Sequence, residues 1–155
     1  FYLTDHRLEV PANTPVLAKL DAEGSVLWAV EVGASEPLPA NVAVADLAVD
    51  SKGNIYVAGG GWRQKSSRSS DEAPFGFHLA KFDRDGNRLW IVKADHAAAT
   101  GIALDGSGNL YLSGGFLGDL FIGGLKASNR IDDKTSGIFM ARFNTDGGGK
   151  DLWTV

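Results

Sequence analysis

Phe77-His78-Leu79-Ala80-Lys81-Phe82-Asp83-Arg84-Asp85-Gly86-Asn87-Arg88-Leu89-Trp90 reads as a strand, a tight turn and a second strand. Its apolar positions come in runs too brief for a helix, and Asp-Gly-Asn between them is a hairpin signal. The chain says this phrase three times. Val16-Leu17-Ala18-Lys19-Leu20-Asp21-Ala22-Glu23-Gly24-Ser25-Val26-Leu27-Trp28 precedes it, and Phe139-Met140-Ala141-Arg142-Phe143-Asn144-Thr145-Asp146-Gly147 follows it, with a short insertion before Leu152-Trp153. The three tryptophans stand 62 and 63 residues apart. A fixed spacing of this kind marks an array of supersecondary units, none of which can bury its apolar face alone.

A second phrase recurs out of phase with the first. Asp46-Leu47-Ala48-Val49-Asp50-Ser51-Lys52-Gly53-Asn54-Ile55-Tyr56-Val57-Ala58-Gly59-Gly60 is echoed by Gly101-Ile102-Ala103-Leu104-Asp105-Gly106-Ser107-Gly108-Asn109-Leu110-Tyr111-Leu112-Ser113-Gly114-Gly115. Phe1-Tyr2-Leu3-Thr4-Asp5 matches its tail. Two hairpins per repeat make four strands per repeat, so the expected fold class is all-β, a β-propeller built of four-stranded antiparallel blades. About three blades are present, as an incomplete ring.

With strands lettered A to D in each blade, residues 1–4 read as B of the first blade, 16–20 as C and 26–32 as D. The second blade reads A at 44–49, B at 54–58, C at 77–82 and D at 88–93. The third reads A at 101–104, B at 110–113, C at 138–143 and D at 151–155. The blades then divide at 1–42, 43–99 and 100–155. The A–B and C–D turns are short and lie on one face of the disc; the last C–D turn spans 144–150. The B–C connections, 5–15, 59–76 and 114–137, are long and irregular and lie on the other face with the D–A connections. Loops on a rigid scaffold carry most binding, which puts any site on the B–C/D–A face.

The wording also resembles a known family. Gly-Asn-(Leu/Ile)-Tyr-(Leu/Val)-x-Gly, then (Leu/Met)-Ala-(Lys/Arg)-(Leu/Phe)-(Asp/Asn)-x-x-Gly and Leu-Trp, is similar to the bacterial SBBP-type β-propeller repeat. Gly114-Gly115-Phe116-Leu117-Gly118-Asp119-Leu120-Phe121-Ile122-Gly123-Gly124 resembles that family's Gly-x-Phe-x-Gly-x-x-x-Phe-Gly-Gly segment, with Ile122 in place of the second aromatic. The resemblance covers nearly the whole chain. It implies a propeller scaffold or binding module in a larger exported bacterial protein, located at the cell surface, in the periplasm or outside the cell, with protein or glycan partners. A weaker likeness runs to PQQ-type repeats, where Leu-Asp-x-x-x-Gly-x-x-x-Trp closes a blade. That likeness supports the rival classes, a PQQ-like dehydrogenase or another propeller enzyme; a lectin-like module is the third.

The bulk numbers narrow the classes. The 155 residues are 44% apolar and 22% charged with 20 glycines, which suits one turn-rich all-β domain. A net charge of −4 lacks the basic footprint that nucleic acid requires. There is no cysteine, hence no disulfide framework or thiolate metal site. No run of about 18 apolar residues offers a membrane span. No enzyme activity or resident cofactor is expected.

Candidate chemistry is sparse. Asp83-x-Asp85-x-Asn87 has the opening spacing of a calcium loop without its later ligands, and Asp21/Glu23 and Asn144/Asp146 repeat it, so turn formation competes with a bound calcium. His78 falls in the register of Val16 and Phe139, a core-facing or half-buried strand position. Asp95-His96 lies on the variable face with no nucleophile placed beside it by any motif. Trp28, Trp90 and Trp153 are expected to pack between blades, Trp90 being largely buried. Trp62 does not recur; it heads a Ser-rich basic loop with Arg63 and Arg68, a composition suited to an interface or to sugar stacking. Asp132 and Asp133 give the third B–C loop a charged tip. The expected binding residues are therefore Trp62, Arg63, Arg68, Asp95, His96, Asp132 and Asp133. Both chain ends fall inside expected strands, and the expectation is of further blades, supplied by a longer chain or by associating copies.

Overall fold

The computed structural model describes residues 2–3, 6–7, 14–33, 43–61, 76–128 and 137–154. They form strands β1 (Tyr2–Leu3), β2 (His6–Arg7), β3 (Val16–Leu20), β4 (Val26–Glu31), β5 (Ala43–Val49), β6 (Ile55–Gly60), β7 (Gly76–Phe82), β8 (Arg88–Asp95), β9 (Ala97–Leu104), β10 (Asn109–Phe116), β11 (Asp119–Ile122), β12 (Leu125–Ser128), β13 (Gly137–Asn144) and β14 (Gly149–Thr154). There is no helix among them. Two sheets are complete blades, β5-β6-β7-β8 and β9-β10-β13-β14, with sequential blade strands adjacent and antiparallel. β3 and β4 form the described part of the first blade. The fold is an all-β, incomplete ring of propeller blades.

Five turns of one construction hold the hairpins. In each, an Asp or Asn side chain accepts from the backbone N–H groups two and four residues on. Asp83 Oδ1 does so from Asp85 and Asn87, both at 2.9 Å. Asp21, Asp50, Asp105 and Asn144 repeat the arrangement. The fourth residue is always a glycine at positive φ (Gly24, Gly53, Gly86, Gly108 and Gly147, between 81° and 89°), a conformation that L side chains rarely adopt.

Blade 2 is packed on both sides, which is why every residue of β7 is buried. Phe77 and Leu79, with Tyr56 and Ala58 of β6, meet Leu110, Leu112, Phe139, Ala141 and Phe143 of blade 3. Ala80 and Phe82, with Ile55 and Val57, meet Leu17 and Val32 of the first blade. The first strands of the two complete blades run side by side, and Ile102 N donates to Asp46 Oδ2 at 3.1 Å.

Several expectations are corrected. Tyr2–Leu3 does not stand beside β3 as strand B of the first blade; it pairs with His6–Arg7. The second D–A connection shrinks to one residue, His96, so blade 3 begins at Ala97 and not at 100. Gly60 leaves room for this close approach, because a Cβ on it would lie 2.7 Å from Ala98 Cα. The third B–C connection is not irregular throughout. It folds into the hairpin β11–β12, whose turn, Gly123-Gly124, has φ of 56° and 84°, as a two-residue hairpin turn requires. This hairpin lies outside the sheets, β11 against β8 and β12 against β14, with Leu120 and Ile122 buried.

The third tryptophan is the largest correction. Trp90 pairs with Lys81 and Trp28 with Lys19, but Arg142, their counterpart, pairs with Asp151; Trp153 lies opposite Met140. The Asn144 turn closes on Gly148 as the others close on their fifth residue, not at Lys150. The two inserted residues therefore cannot sit in the turn, and they push Trp153 two places along β14. It is 48% exposed.

Candidate functional site

The residues repeated from blade to blade converge on the seams between blades. Lys81 Nζ and Trp90 Nε1 both donate to the carbonyl oxygen of Thr145, at 2.9 and 3.1 Å. One blade earlier, Lys19 Nζ and Trp28 Nε1 both donate to Arg84 O, at 3.2 and 3.3 Å. Each indole lies over the turn glycine of the next blade: a Cβ on Gly86 would stand 3.0 Å from Trp28, and one on Gly147 3.1 Å from Trp90. Trp90 is half-buried here, less than expected, because the indole covers the outer mouth of the seam.

Behind this latch, Lys81 lies over the Tyr56 ring at 5.2 Å, and Tyr56 OH donates to Asp50 Oδ2 at 3.2 Å. Burial and the Asp50 carboxylate push the Tyr56 hydroxyl up to about 12. Burial opposes ionisation of Asp50 itself, yet hydrogen bonds from Asn54, Lys52 and Tyr56 outweigh it and hold the carboxyl below its ordinary value. Asp83 and Asp105 are likewise held low, chiefly by the side-chain amides of Asn87 and Asn109.

The possible calcium residues are thus engaged by their own turn. Asp83 accepts three hydrogen bonds from Asp85 and Asn87, and Asp85 pairs with Arg84 at 3.8 Å. The turn geometry accounts for the recurrence of Asp or Asn at the first of these positions, and uses only the backbone N–H of Glu23, Asp85 and Asp146 at the third.

The expected binding residues fall into two groups. Trp62, Arg63, Arg68, Asp132 and Asp133 lie outside the described residues. Asp95 and His96 are exposed at the joint between blades 2 and 3. His96, at φ 58°, turns the chain there, and its carbonyl accepts from Leu117 N at 2.8 Å. Asp95 stands opposite Gly76, and Gly76 O accepts from Gly61 N at 3.2 Å, closing the neck of the segment that carries Trp62. Gly137, where the segment carrying Asp132 and Asp133 rejoins the sheet, pairs with Phe116, which also pairs with Ala97. The structure therefore brings the joint and the roots of both segments that carry the other expected residues to one end of blades 2 and 3.

Sequence reasoning missed the hairpin in the third connection. Phe121 is 59% exposed on it, with Lys126 Nζ 5.0 Å from the ring centroid and 3.4 Å from Asp119 Oδ2. Asp119 is held below its ordinary value, first by the Ser128 side chain and then by Lys126 against slight burial. The short apolar run Leu120-Phe121-Ile122 ended by Gly123-Gly124 was the available signal.

His78 is fully buried, as its register suggests, and neither ring nitrogen has a hydrogen-bond partner. Burial, aided by Lys93, lowers it to about 4. Among the described residues, no three His, Asp or Glu side chains gather to hold a metal ion, and no helix is long and apolar enough to cross a membrane. No family model matches the chain, and no curated protein matches it.

Proposed function

We propose that the chain is a non-catalytic propeller scaffold that presents the segments rooted on its B–C/D–A face to a protein or glycan partner outside the bacterial cytoplasm. One observation carries this reading. The polar residues that recur are employed in turns and latches, whereas the residues that do not recur spring from a common end, around Gly61, Gly76, Asp95, His96 and Gly137. A rigid frame with variable loops rooted together is suited to recognition. The export and the partner class rest on the resemblance to SBBP repeats.

Binding to a glycan array, with and without calcium, tests it on the chain and on a Trp62→Ala/Arg63→Ala variant. The expected result is a restricted set of bound glycans, lost in the variant at an unchanged melting temperature. Binding that survives the double change, or chemical turnover of an arrayed sugar, would overturn it.

A further inference from the structure

We propose that His78 makes the seam between the first and second blades an acid-opened joint, while the seam between blades 2 and 3 stays closed. Two seams built alike differ at this position. In blade 3 it is Phe139, buried, with Phe77 and Phe116 edge-on to its ring at centroid distances of 6.5 and 6.3 Å. In blade 2 it is His78, equally buried, and neither ring nitrogen has a hydrogen-bond partner. The surroundings match otherwise. Each ring presses on a glycine of the second strand: a Cβ on Gly59 would lie 2.7 Å from His78 Cε1, and one on Gly114 2.6 Å from Phe139 Cε1. Alternation along β7 puts His78 on the face of Ala80 and Phe82, which pack against Leu17 and Val32 of the first blade. A titratable ring thus fills one seam where a phenyl ring fills the other.

Among the described residues, the charges around His78 are mostly positive. Lys93 stands opposite it on β8, and Arg88 of β8 reaches Val32 O across the seam at 3.4 Å. The first blade turns Leu17, Val30 and Val32 to the seam, with Lys19 at the turn end, where it donates to Arg84 O and Asp85 pairs with Arg84. Glu31 alternates to the other face of β4. Asp95 shares the His78 side of β8 but is exposed, beyond Lys93. β6 and β5 bring uncharged residues, Gly59 and Ala43. An imidazolium here has no acceptor within reach unless the seam parts. Burial and Lys93 keep the proton off down to about pH 4 in the closed seam, against an ordinary 6.5 in the open one, so acid favours the open form. The segment that carries Trp62 rejoins the sheet at Gly76, on the same strand as His78. Parting would loosen the root of a binding segment and release its partner in acid, a consequence that rests on the function proposed above.

Thiol labelling gives the test, because the chain has no cysteine of its own. Val57 and Leu112 are equivalent buried residues, one in each seam. Val57→Cys and Leu112→Cys variants of the whole chain are labelled with dithiodipyridine at pH 7 and pH 5, each rate divided by that of the unfolded variant at the same pH. Labelling of Val57→Cys should rise about twentyfold from pH 7 to pH 5, the factor that follows from one proton taken up on opening. Labelling of Leu112→Cys should stay within about twofold, and adding His78→Phe should abolish the rise at Val57→Cys. Ala80→Cys and Ala141→Cys replace the pair, and His78→Leu replaces His78→Phe, where circular dichroism shows a variant unfolded at pH 7. No rise, an equal rise in both seams, or a rise that survives the loss of His78 would each overturn the proposal. No partner enters the measurement, so its failure is distinct from a failure of the glycan array.

Discussion

The indole N–H of Trp90 donates to the carbonyl oxygen of Thr145, 55 residues on and in the next blade, while its ring covers Gly147 of the same turn. Gly147 serves two ends at once. Its positive φ closes the turn, and its missing side chain leaves room for the indole. The seam and the hairpin are therefore specified by one short phrase, which explains why Trp and Asx-x-x-Gly recur together.

Trp90→Ala is expected to lower stability by about 3 kcal/mol, the low end for truncating a large aromatic, since the ring is half-buried. Trp90→Phe keeps most of the packing and loses the N–H donor, for a loss of about 1 kcal/mol. Urea melts of the two variants check both figures. Equal losses would mean that the packing of the ring contributes nothing, and a Trp90→Phe variant as stable as the parent would mean that the hydrogen bond contributes nothing.

Blades 2 and 3 were legible because each turn announces itself twice, by an Asx side chain and by a glycine, and because apolar runs of strand length flank it. The misreadings have physical reasons. Trp153 looks equivalent to Trp90 by its Leu-Trp context, but a turn that closes on a fixed fifth residue passes any insertion into the strand. Gly114 to Gly137 looked like loop because six glycines break its apolar residues into short runs, although Gly123-Gly124 marks a hairpin. The candidate site was legible in part. Sequence placed Asp95 and His96 on the loop face, but that they share an end with the root of the Trp62 segment follows from the Gly76–Asp95 pairing.

His78 should make the protein acid-sensitive. Its pKa is about 4 when folded against an ordinary 6.5, so the unfolded chain binds the extra proton between those values. The contribution is whole above about pH 6.5 and is lost as pH falls towards 4, on the order of 3 kcal/mol in all. His78→Phe copies Phe139, the blade 3 residue at that position. Denaturant midpoints between pH 7 and 4 should fall less for the variant than for the parent. Parallel curves would clear His78 of the effect.

The turn carboxyls should titrate below the ordinary carboxylate range. Asp83 and Asp105 are held there chiefly by the amides of Asn87 and Asn109. Because the folded value is depressed, the stabilisation is present above the ordinary value of 3.8 and disappears as pH falls through the folded one. Carboxyl carbon shifts followed by NMR should show both groups low, and Asn87→Ala should move Asp83 upward while leaving Asp105 in place. An Asp83 titration unchanged by Asn87→Ala would shift the cause to the backbone donors.

Glycines that look alike in the sequence should differ sharply in tolerance. A Cβ on Gly59 would overlap the carbonyl oxygen of Ala43 and stand 2.7 Å from His78 Cε1. On Gly114 it would overlap Ala98 O and approach Phe139 Cε1 at 2.6 Å. In both blades the first strand and a ring on the third press on the same backbone point, so neither neighbour can give way cheaply. Gly106 has open space around its Cβ direction and no positive φ. Gly59→Ala and Gly114→Ala should each destabilise by about 3 kcal/mol or more, as overpacking against backbone does. Gly106→Ala should be neutral or stabilise by about 0.4–1 kcal/mol, through the unfolded chain. Thermal melts of the three variants decide it, and a Gly114→Ala melt matching that of Gly106→Ala would mean that the strands can separate to admit a methyl group.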